Sequence, residues 1–252
     1  MAFPTETVYG LGADASNSAA VARIFAAKGR PQDHPLIVHL AGVELLPQWA
    51  REFPPAAQKL ATAFWPGPLT LILKRADGVP DCITGGQDSV GLRIPGHPLA
   101  LALLKAFSGE ASGRRFSGVA APSANKFGRI SPTTAEHVRA ELGDAVDSVL
   151  DGGECDVGIE STIVDLSRGP AVLLRPGQIT PAQIAAVIGA EVELPDAAAP
   201  RVPGALDSHY APRTPLALVI SSELPARLAA LRGKKVAVLS RTESPSGLKD
   251  VS

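Results

Sequence analysis

Four basic side chains of the sequence stand where the backbone would hold them in place, and together they suit an anionic small molecule. Lys28 and Arg30 flank a glycine, and Pro31 restricts the backbone directly before it. Arg93 and Arg175 each end an apolar segment shortly before a Pro-Gly turn. A guanidinium binds carboxylate or phosphate through a planar fork, and an ammonium adds a compact charge. These residues predict one local positive site, although Lys28 and Arg30 are also typical of an ordinary helix C-terminus.

Small polar side chains accompany the cations in turn-rich segments. Ser123 and Asn125 point the same way if their segment is extended, and Ser131 is placed to cap the helix that follows. A helix N-terminus beside such side chains can bind an anion, and the alternative is a loop with ordinary caps. Ser161 opens a predicted strand and Arg175 closes the next one, which predicts that both lie at one edge of a sheet.

Two further segments have an open interpretation from the residues alone. The hydroxyls of Thr5, Thr7 and Tyr9 recur at every second residue, so an extended segment would place them on one face. The same alternation is typical of an edge strand with a polar outer face. His39 lies inside an apolar run, where a histidine is more often a satisfied core residue than a ligand.

Common catalytic motifs are absent from the sequence. It has no GxxxxGK[ST] loop, no GxGxxG after a strand, no GxSxG and no HExxH. Any catalysis therefore depends on the positioning of substrates and on electrostatic stabilisation, and the sequence predicts no protein nucleophile and no metal held by protein side chains.

Short elements separated by glycine and proline must position these residues. The chain has 24 Gly and 23 Pro, and its apolar runs alternate with alanine-rich stretches. This order predicts an α/β (α+β) fold with a twisted mixed sheet. The predicted strands are Leu36–Leu40, Leu69–Lys74, Val90–Ile94, Gly118–Ala121, Ser148–Asp151, Ser161–Leu166 and Ala171–Arg175.

The predicted helices have readable ends. Asn17 is placed to cap a helix that runs through Ala27, with Gly29 just past its end. Another is predicted to open at Ser131-Pro132, with a capping box from Thr133 to Glu136. The remaining predicted helices are Pro55–Phe64, Pro98–Phe107 and one from Pro181 to about Ile188.

The composition of the sequence changes after residue 190. Residues 191–215 are rich in proline and predict a linker. Residues 216–252 then read as a β-α-β fragment, with strands at Leu216–Ile220 and Lys235–Leu239 around a helix near Pro225–Leu231. We expect this to be the start of a second, truncated domain, because so few residues cannot bury a core of their own.

Composition limits the partners and the location of the protein. The 252 residues carry 24 Lys+Arg against 25 Asp+Glu, a formal net charge of −1 that provides no overall attraction for nucleic acid. Two isolated cysteines indicate neither a disulfide framework nor a zinc knuckle. No apolar run is long enough to span a membrane and no signal peptide opens the chain, so we expect a cytoplasmic protein.

Seven segments in order resemble the YrdC/Sua5 family of L-threonylcarbamoyladenylate synthases. They are PTETVYGLG, KGRPQDHPLIVH, FWPGPLTLIL, GLRIPGHP, APSANKFGRISPTT, GIESTIVD and LLRPG, and they cover residues 1 to about 190. The later PGA…HYAP segment resembles the linker of Sua5-type members, which carry a Rossmann-like C-terminal domain. The resemblance implies a YrdC-like twisted sheet with flanking helices around a positively lined central cavity.

The resemblance also implies a reaction. L-threonine and bicarbonate would form N-carboxy-threonine, which attacks the α-phosphate of ATP with Mg²⁺ on the phosphates, giving threonylcarbamoyl-AMP and pyrophosphate. The product would pass to the tRNA threonylcarbamoyl transferase machinery for the N6-threonylcarbamoyladenosine modification. Direct tRNA binding by this chain would be weak or absent.

The same resemblance implies roles residue by residue. The implied threonine contacts are Thr7, His39, Arg93, the backbone at Ala121, and Ser161. The implied ATP contacts are Lys28, Arg30, His34, Ser89, Ser123, Asn125, Ser131, Arg175 and, closing from the linker, Tyr210. His34 departs from the family pattern, where asparagine is common. Family members also have a helix and a strand before PTETVYGLG, so we expect the catalytic domain to lack its first elements.

Two other functions remain open at this point. A non-catalytic double-stranded RNA or tRNA-binding module could share the fold, although the net charge of −1 and 4% aromatic residues weigh against it. A carbamoyl-phosphate-using maturation enzyme of the hydrogenase type also shares the domain. It should carry zinc-finger cysteines, which the two isolated cysteines do not supply.

Overall fold

A computed structural model describes residues 1–110, 115–204, 211–212 and 214–241 of the chain. The chain divides into two compact units, Met1–Ala211 and Pro212–Ser252. Within the described part, no helix is both long and apolar enough to cross a membrane.

The first unit is built on a mixed sheet of seven strands. Their order is β3-β7-β4-β6-β5-β8-β9, beside a separate β1-β2 pair. Strands β4 and β6 are parallel, β5 and β8 run in the opposite direction, and β9 returns antiparallel to β8. The strands are β1 (Ala2–Phe3), β2 (Gly10–Leu11), β3 (Ala13–Asp14), β4 (Ile37–His39), β5 (Leu69–Lys74), β6 (Ser89–Arg93), β7 (Val119–Ala120), β8 (Thr162–Asp165) and β9 (Val172–Arg175).

Helices and short 3₁₀ turns flank the sheet, and the sequence accounts for their ends. Asn17 caps the first helix through its side chain, and Gly29 ends it in the left-handed region at φ 62°. The helices are α1 (Ser18–Lys28), α2 (Leu46–Trp49), α3 (Pro55–Phe64), α4 (Asp81–Thr84), α5 (Pro98–Glu110), α6 (Ala135–Leu142), α7 (Pro181–Ile188) and, in the second unit, α8 (Leu224–Ala230).

The predicted mixed α/β fold is confirmed, and several elements have the predicted bounds. Strand β5 and helix α3 agree residue for residue, and α7 begins at Pro181 with a capping box between Thr180 and Gln183. The prediction for α6 was wrong by about a turn, because Thr134 rather than Ser131 caps it and the helix begins at Ala135. The predicted strand Ser148–Asp151 is only a single bridge, between Val149 and Ala2.

Three clusters of buried side chains hold the sheet in place, one of them around Phe3, Leu104 and Val119. The main core packs large residues such as Trp49, Leu71 and Leu92 between the sheet and its helices. A smaller cluster joins Ile37, Ile72 and Ile163, from three different strands, to Val202. Val202 therefore covers one face of the sheet although it lies far along the chain, in the proline-rich segment.

The described residues of the second unit contain little regular secondary structure. Helix α8 confirms the predicted helix, preceded by a 3₁₀ turn at Ser221–Glu223. The strands predicted at Leu216–Ile220 and Lys235–Leu239 are not formed, and Leu216, Leu218 and Leu239 are exposed. The backbone N–H and C=O groups of a strand form hydrogen bonds with a neighbouring strand. Neither segment has such a neighbour among the described residues.

Candidate active site

The polar and charged residues of the candidate site lie together at one end of the strands, which forms one edge of the sheet. Strands β4, β6 and β9 end at this edge and β8 begins there, so His39, Arg93 and Arg175 lie near Ser161, which directly precedes β8. A pocket of about 570 Å³, counting the part open to solvent, lies against these strand ends. Its lining includes Thr5, Thr7, Lys28, Arg30, Ile37, His39, Arg93, Ala121, Ser123, Asn125, Phe127, Gly128, Glu160, Ser161, Arg175 and Pro203.

His39 and Arg93 are direct partners in the parallel register of β4 and β6. Burial, with the nearby Arg93 charge, lowers the pKa of His39 to about 3, so the imidazole is neutral at physiological pH. Its Nδ1 has no hydrogen-bond partner within the described part of the chain. His39 therefore offers the pocket a neutral hydrogen-bonding group beside a fixed positive charge.

Arg93 is held by three groups from two segments of the chain. Its Nη2 donates to Glu6 Oε1 at 2.6 Å and to Thr7 Oγ1 at 2.9 Å, and its Nε donates to the Gly67 carbonyl at 3.3 Å. The side chain of Arg93 is only 4% exposed, so the ion pair with Glu6 compensates a buried charge.

Arg175 and Ser161 form a second rigid pair. Arg175 Nη2 donates to Ser161 Oγ at 3.0 Å, and its Nε donates to the Ser161 carbonyl at 3.0 Å. A further contact at 2.8 Å joins the hydroxyls of Ser161 and Thr70, and the Pro203 carbonyl accepts from Arg175 Nη1 at 2.9 Å. These contacts confirm that the serine that opens one strand and the arginine that closes the next meet at one edge.

Glu160 brings a carboxylate into this positive pocket. Its Oε1 accepts from Ser131 Oγ at 2.8 Å, and its Oε2 lies 3.6 Å from Arg175 Nη2. Burial would raise the pKa of Glu160, but Arg175 together with the hydroxyls of Ser131 and Ser123 lowers it below its usual range. Glu160 is therefore ionised at neutral pH and partly balances the surrounding cations.

The end of α1 delivers Lys28 and Arg30. Gly29 reverses the chain in the left-handed region, with its N–H bonded to Ala26 O and that of Arg30 bonded to Phe25 O. Lys28 Nζ donates to the carbonyls of Ser123 at 2.5 Å and Asn125 at 2.6 Å. Burial, assisted by Arg30, lowers the pKa of Lys28 to about 7.

Asn125 is fixed by its amide group. Its Nδ2 donates to the carbonyls of Lys126 and Arg129, both at 2.8 Å. Its Oδ1 is buried and has no hydrogen-bond partner among the residues that the structure describes. An orphaned buried acceptor beside a pocket is costly unless a ligand supplies a donor.

Ten of the fourteen residues with an implied substrate role line this pocket, and three further described residues lie outside its lining. His34 packs edge-to-face against Phe127, with ring centroids 5.3 Å apart, and so adjoins the wall. Ser131 lies behind Glu160, to which it donates. Ser89 begins β6 and lies at the opposite end of that strand from Arg93, about 13 Å away at the usual strand rise. Tyr210 is outside the described residues.

The segment from Thr5 to Tyr9 is a turn and not an extended strand, which corrects the expectation that three hydroxyls share a face. Thr5 Oγ1 bonds to Val8 O at 2.7 Å and to Thr7 Oγ1 at 2.8 Å. Tyr9 instead donates its hydroxyl to Gly153 O at 2.8 Å. Only Thr5 and Thr7 of the three line the pocket.

Several groups of the site were not predicted from the sequence. Glu6 and Glu160 stand inside the motifs PTET and GIES, and an acidic residue next to a predicted anion site was the available signal. Phe127 and Pro203 carried no such signal. Their place depends on long-range packing, since Pro203 is 28 residues from the arginine that it contacts.

The pocket does not have the donor set of a protein-held metal. Within the described residues no group of three or more His, Cys, Asp or Glu side chains could hold an ion. The lining carboxylate, Glu160, already lies against Arg175 and Ser131.

Comparison with known proteins identifies the family. Residues 1–177 match the profile of the Sua5/YciO/YrdC family, which carries the description "Telomere recombination". The chain belongs to the Sua5/YciO/YrdC family. Residues 179–251 also match the profile "Threonylcarbamoyl-AMP synthase, C-terminal domain", which places the chain with the Sua5-type members. The resemblance seen in the seven ordered motifs is thereby confirmed.

Relatives within this Sua5/YciO/YrdC family are similar over most of the chain. The threonylcarbamoyl-AMP synthase of Pyrococcus abyssi is 47% identical over 87% of this chain and 64% of its own length. That of Bacillus subtilis is 45% identical over 98% of this chain and 72% of its own length. The chain thus spans about two thirds of the length of these relatives.

Solved structures agree with the fold. Sua5 of P. abyssi, complexed with L-threonine, superimposes with a TM-score of 0.76 at 46% identity, covering 84% of this chain and 61% of that one. YciO of E. coli superimposes with a TM-score of 0.58 at 24% identity, covering 70% of this chain and 82% of that one, and supports the fold alone.

Proposed function

We propose that this chain is a threonylcarbamoyl-AMP synthase that condenses L-threonine, bicarbonate and ATP. The observation that carries the proposal is the pocket at the strand ends, whose lining brings together the four cations Lys28, Arg30, Arg93 and Arg175. The names of the relatives from P. abyssi and B. subtilis support the same activity.

We propose that the pocket binds two substrates side by side. Thr7, His39, Arg93, Ala121 and Ser161 all line it, and we propose that these side chains, with the backbone at Ala121, bind L-threonine. Arg93 faces the carboxylate of the amino acid, and neutral His39 offers a hydrogen bond without adding charge. Support comes from the similar P. abyssi protein, which was solved in complex with L-threonine.

Lys28, Arg30, Ser123, Asn125 and Arg175 also line the pocket, and we propose that they bind ATP. Arginine matches phosphate oxygens in a fork, and Lys28 adds a point charge. The buried Oδ1 of Asn125 is an acceptor, so it would accept from a hydroxyl or amino group of the nucleoside and not from a phosphate. Ser131 acts through Glu160, while nucleotide roles for His34, Ser89 and Tyr210 stay predictions.

The proposed reaction needs no nucleophile from the protein. The threonine nitrogen forms a bond to the carbon of bicarbonate, with loss of water, giving an N-carboxylate. An oxygen of that carboxylate then bonds to the α-phosphorus of ATP, while the bond from this phosphorus to the bridging oxygen breaks and pyrophosphate leaves. The protein aligns the reactants and stabilises the charge that develops on the phosphate oxygens.

Magnesium would enter with ATP and neutralise phosphate charge. The residues present fit a cation that is held by the phosphates, since Glu160 alone among the lining side chains is acidic. We further propose that the product passes to the machinery that modifies tRNA, and that the protein works in the cytoplasm.

Pyrophosphate release tests the proposal directly. We expect release from ATP only when L-threonine and bicarbonate are both present, with threonylcarbamoyl-AMP found by mass spectrometry. No release from stable protein that binds ATP would contradict the proposed activity. Tight, salt-sensitive tRNA binding without ATP binding would favour the RNA-binding alternative instead.

Arg30 provides a sharper test within the same assay. Arg30→Ala removes a pocket guanidinium that is held by the Pro35 carbonyl at 2.8 Å, so we expect kcat/KM for ATP to fall at least about tenfold. The matched control is Arg23→Ala, an arginine of α1 that forms an exposed ion pair with Asp147. This control should keep kcat/KM within about twofold. Equal losses in both variants would argue against a phosphate role for Arg30.

A further inference from the structure

The guanidinium of Arg93 has most of its hydrogen-bond donors engaged by the protein. An arginine carries five N–H donors. Nε donates to Gly67 O, and the two N–H groups of Nη2 donate to Glu6 Oε1 and Thr7 Oγ1. Arg93 lines the pocket, and no contact of its Nη1 is found among the described residues. Nη1 is therefore the part of this guanidinium that remains for a ligand.

Glu6 determines this arrangement from outside the pocket lining. Its Oε1 contacts Arg93 at 2.6 Å, and its Oε2 accepts from the Gly96 N–H at 2.8 Å. The residue is 9% exposed, and the Glu6 carbonyl accepts from Val157 N–H at 2.9 Å. Both carboxylate oxygens and the backbone are thus fixed, so the carboxylate cannot follow Arg93 if the guanidinium rotates.

We propose that Glu6 is the positioning residue of the amino-acid site, which orients Arg93 so that Nη1 receives the carboxylate of the substrate. This inference rests on the proposed function and deepens it. It also changes the expected contact, because an engaged Nε and Nη2 leave no bidentate edge of the guanidinium. A ligand carboxylate binds at Nη1 and completes its contacts with other groups of the pocket.

Two effects of Glu6 on an anionic ligand have opposite signs. Its negative charge, one side chain away from the ligand, opposes a carboxylate. Its hydrogen bonds restrict Arg93 to the binding orientation and so reduce the entropy that binding has to remove. We infer that positioning outweighs repulsion, since each hydrogen bond to a charged group contributes about 1.5–3 kcal/mol, or on the order of 10- to 100-fold in affinity.

Titration calorimetry of two Glu6 variants tests the inference. Glu6→Gln keeps one oxygen acceptor for Arg93 but places an amide N–H against Gly96 N–H, and Glu6→Ala removes both contacts. We expect L-threonine affinity to fall about threefold or more in Glu6→Gln and at least about tenfold in Glu6→Ala, with ATP affinity within about twofold. Glu52→Gln is the matched control, since Glu52 pairs with Lys74 at an exposed position.

A second measurement reports on Arg93 without any ligand. Side-chain ¹⁵N spectra at low temperature should resolve the restricted Nη groups of Arg93, assigned by their loss in Arg93→Lys. We expect these signals to merge through faster rotation in Glu6→Ala and to persist in Glu52→Gln. If Glu6→Ala does not fold, Glu6→Met, which keeps most of the side-chain volume without an oxygen acceptor for Arg93, provides the same comparison.

The outcomes separate this inference from the proposed function. Absence of pyrophosphate release by the wild-type protein overturns the synthase activity, while the Arg93 spectra still decide whether Glu6 holds the guanidinium. Unchanged spectra overturn the inference. Unchanged or tighter L-threonine binding also overturns it, because Glu6 would then act only as an opposing charge. Equal weakening of L-threonine and ATP overturns it too, by indicating a general structural role.

Discussion

Lys28 combines burial, two short hydrogen bonds and a neighbouring arginine in one side chain. Burial with the nearby Arg30 lowers its pKa to about 7, so its charge changes near physiological pH. The folded protein releases this proton before the unfolded chain does. Lys28 therefore opposes folding below about pH 7, and this cost fades as the pH rises toward 10.5, the ordinary pKa of lysine in an unfolded chain.

Binding of ATP should consequently depend on pH through Lys28. We expect affinity to fall as the pH rises from about 6 to about 9, because the pocket loses a positive charge. Lys28→Arg is the control, since arginine stays protonated over this range and should flatten the profile. Isothermal titration at constant ionic strength measures both, and parallel profiles for the two proteins would exclude Lys28 as the titrating group.

Unlike an ordinary histidine, His39 does not change its charge near neutral pH. Its pKa of about 3 keeps the imidazole neutral over the whole working range. Any pH dependence that involves L-threonine therefore comes from other groups. Desolvation of His34, beside Arg30, also lowers the pKa of that imidazole.

At the scale of an element, the end of α1 places two of the four pocket cations, Lys28 and Arg30. One left-handed glycine lies between two pocket cations, and no atom lies within 4 Å of where its Cβ would be. A side chain at Gly29 would thus strain the backbone without a clash. A substitution at Gly29 therefore tests the effect of the backbone conformation on the site without changing side-chain packing.

Gly29→Ala should lose both stability and ATP affinity. An alanine in the left-handed region costs about 1–2 kcal/mol, and relief of that strain would shift Lys28 and Arg30. Gly189→Ala is the matched control, because Gly189 ends α7 at φ 76° with equally open space. We expect similar losses of unfolding free energy in urea, with a loss of ATP affinity only in Gly29→Ala. Equal ATP affinity in both variants would contradict the role of this turn.

Elements with local signals were predictable, and those set by distant contacts were not. Proline, with a following run of helix formers, defined α3, and an unbroken apolar run defined β5. The start of α6 was mistaken because three candidate caps stand within four residues and Ser131 bonds to Glu160 instead. Thr5–Tyr9 alternates like a strand, yet the Thr5 side chain bonds to Val8 O and forms a turn.

At the scale of the whole molecule, the charges are balanced overall and separated locally. The net charge is −1, while four cations line one pocket with a single acidic neighbour in the lining. Outside the pocket, opposite charges neutralise each other in exposed ion pairs such as Arg23–Asp147 and Arg51–Asp88. Such a surface favours a small anion over a long polyanion.

Binding of tRNA by this chain should therefore be weak. We expect fluorescence anisotropy to find no saturable tRNA binding at about 150 mM salt, because few phosphates would be neutralised. Binding of ATP in the same buffer serves as the positive control. Saturable tRNA binding with a steep salt dependence would contradict this expectation.

The cations of the site could be predicted from sequence, but its enclosure could not. Arg93 and Arg175 stand at strand ends that the apolar pattern reveals. The contacts of Glu6 with Arg93 and of Pro203 with Arg175 span 87 and 28 residues. Such partners are brought together by the sheet order, for which one sequence carries no direct signal.

Arg201, Val202 and Pro203 have a practical consequence for dividing the protein into modules. Val202 packs on Ile37, Ile72 and Ile163, and the Arg201 backbone exchanges hydrogen bonds with the Gln87 side chain at 2.7 and 3.1 Å. An expression boundary at residue 190 would discard these contacts and uncover an apolar face next to the pocket, which Ile37 also lines. Grafting, swapping or shortening of the catalytic module should therefore keep the chain through at least Gly204.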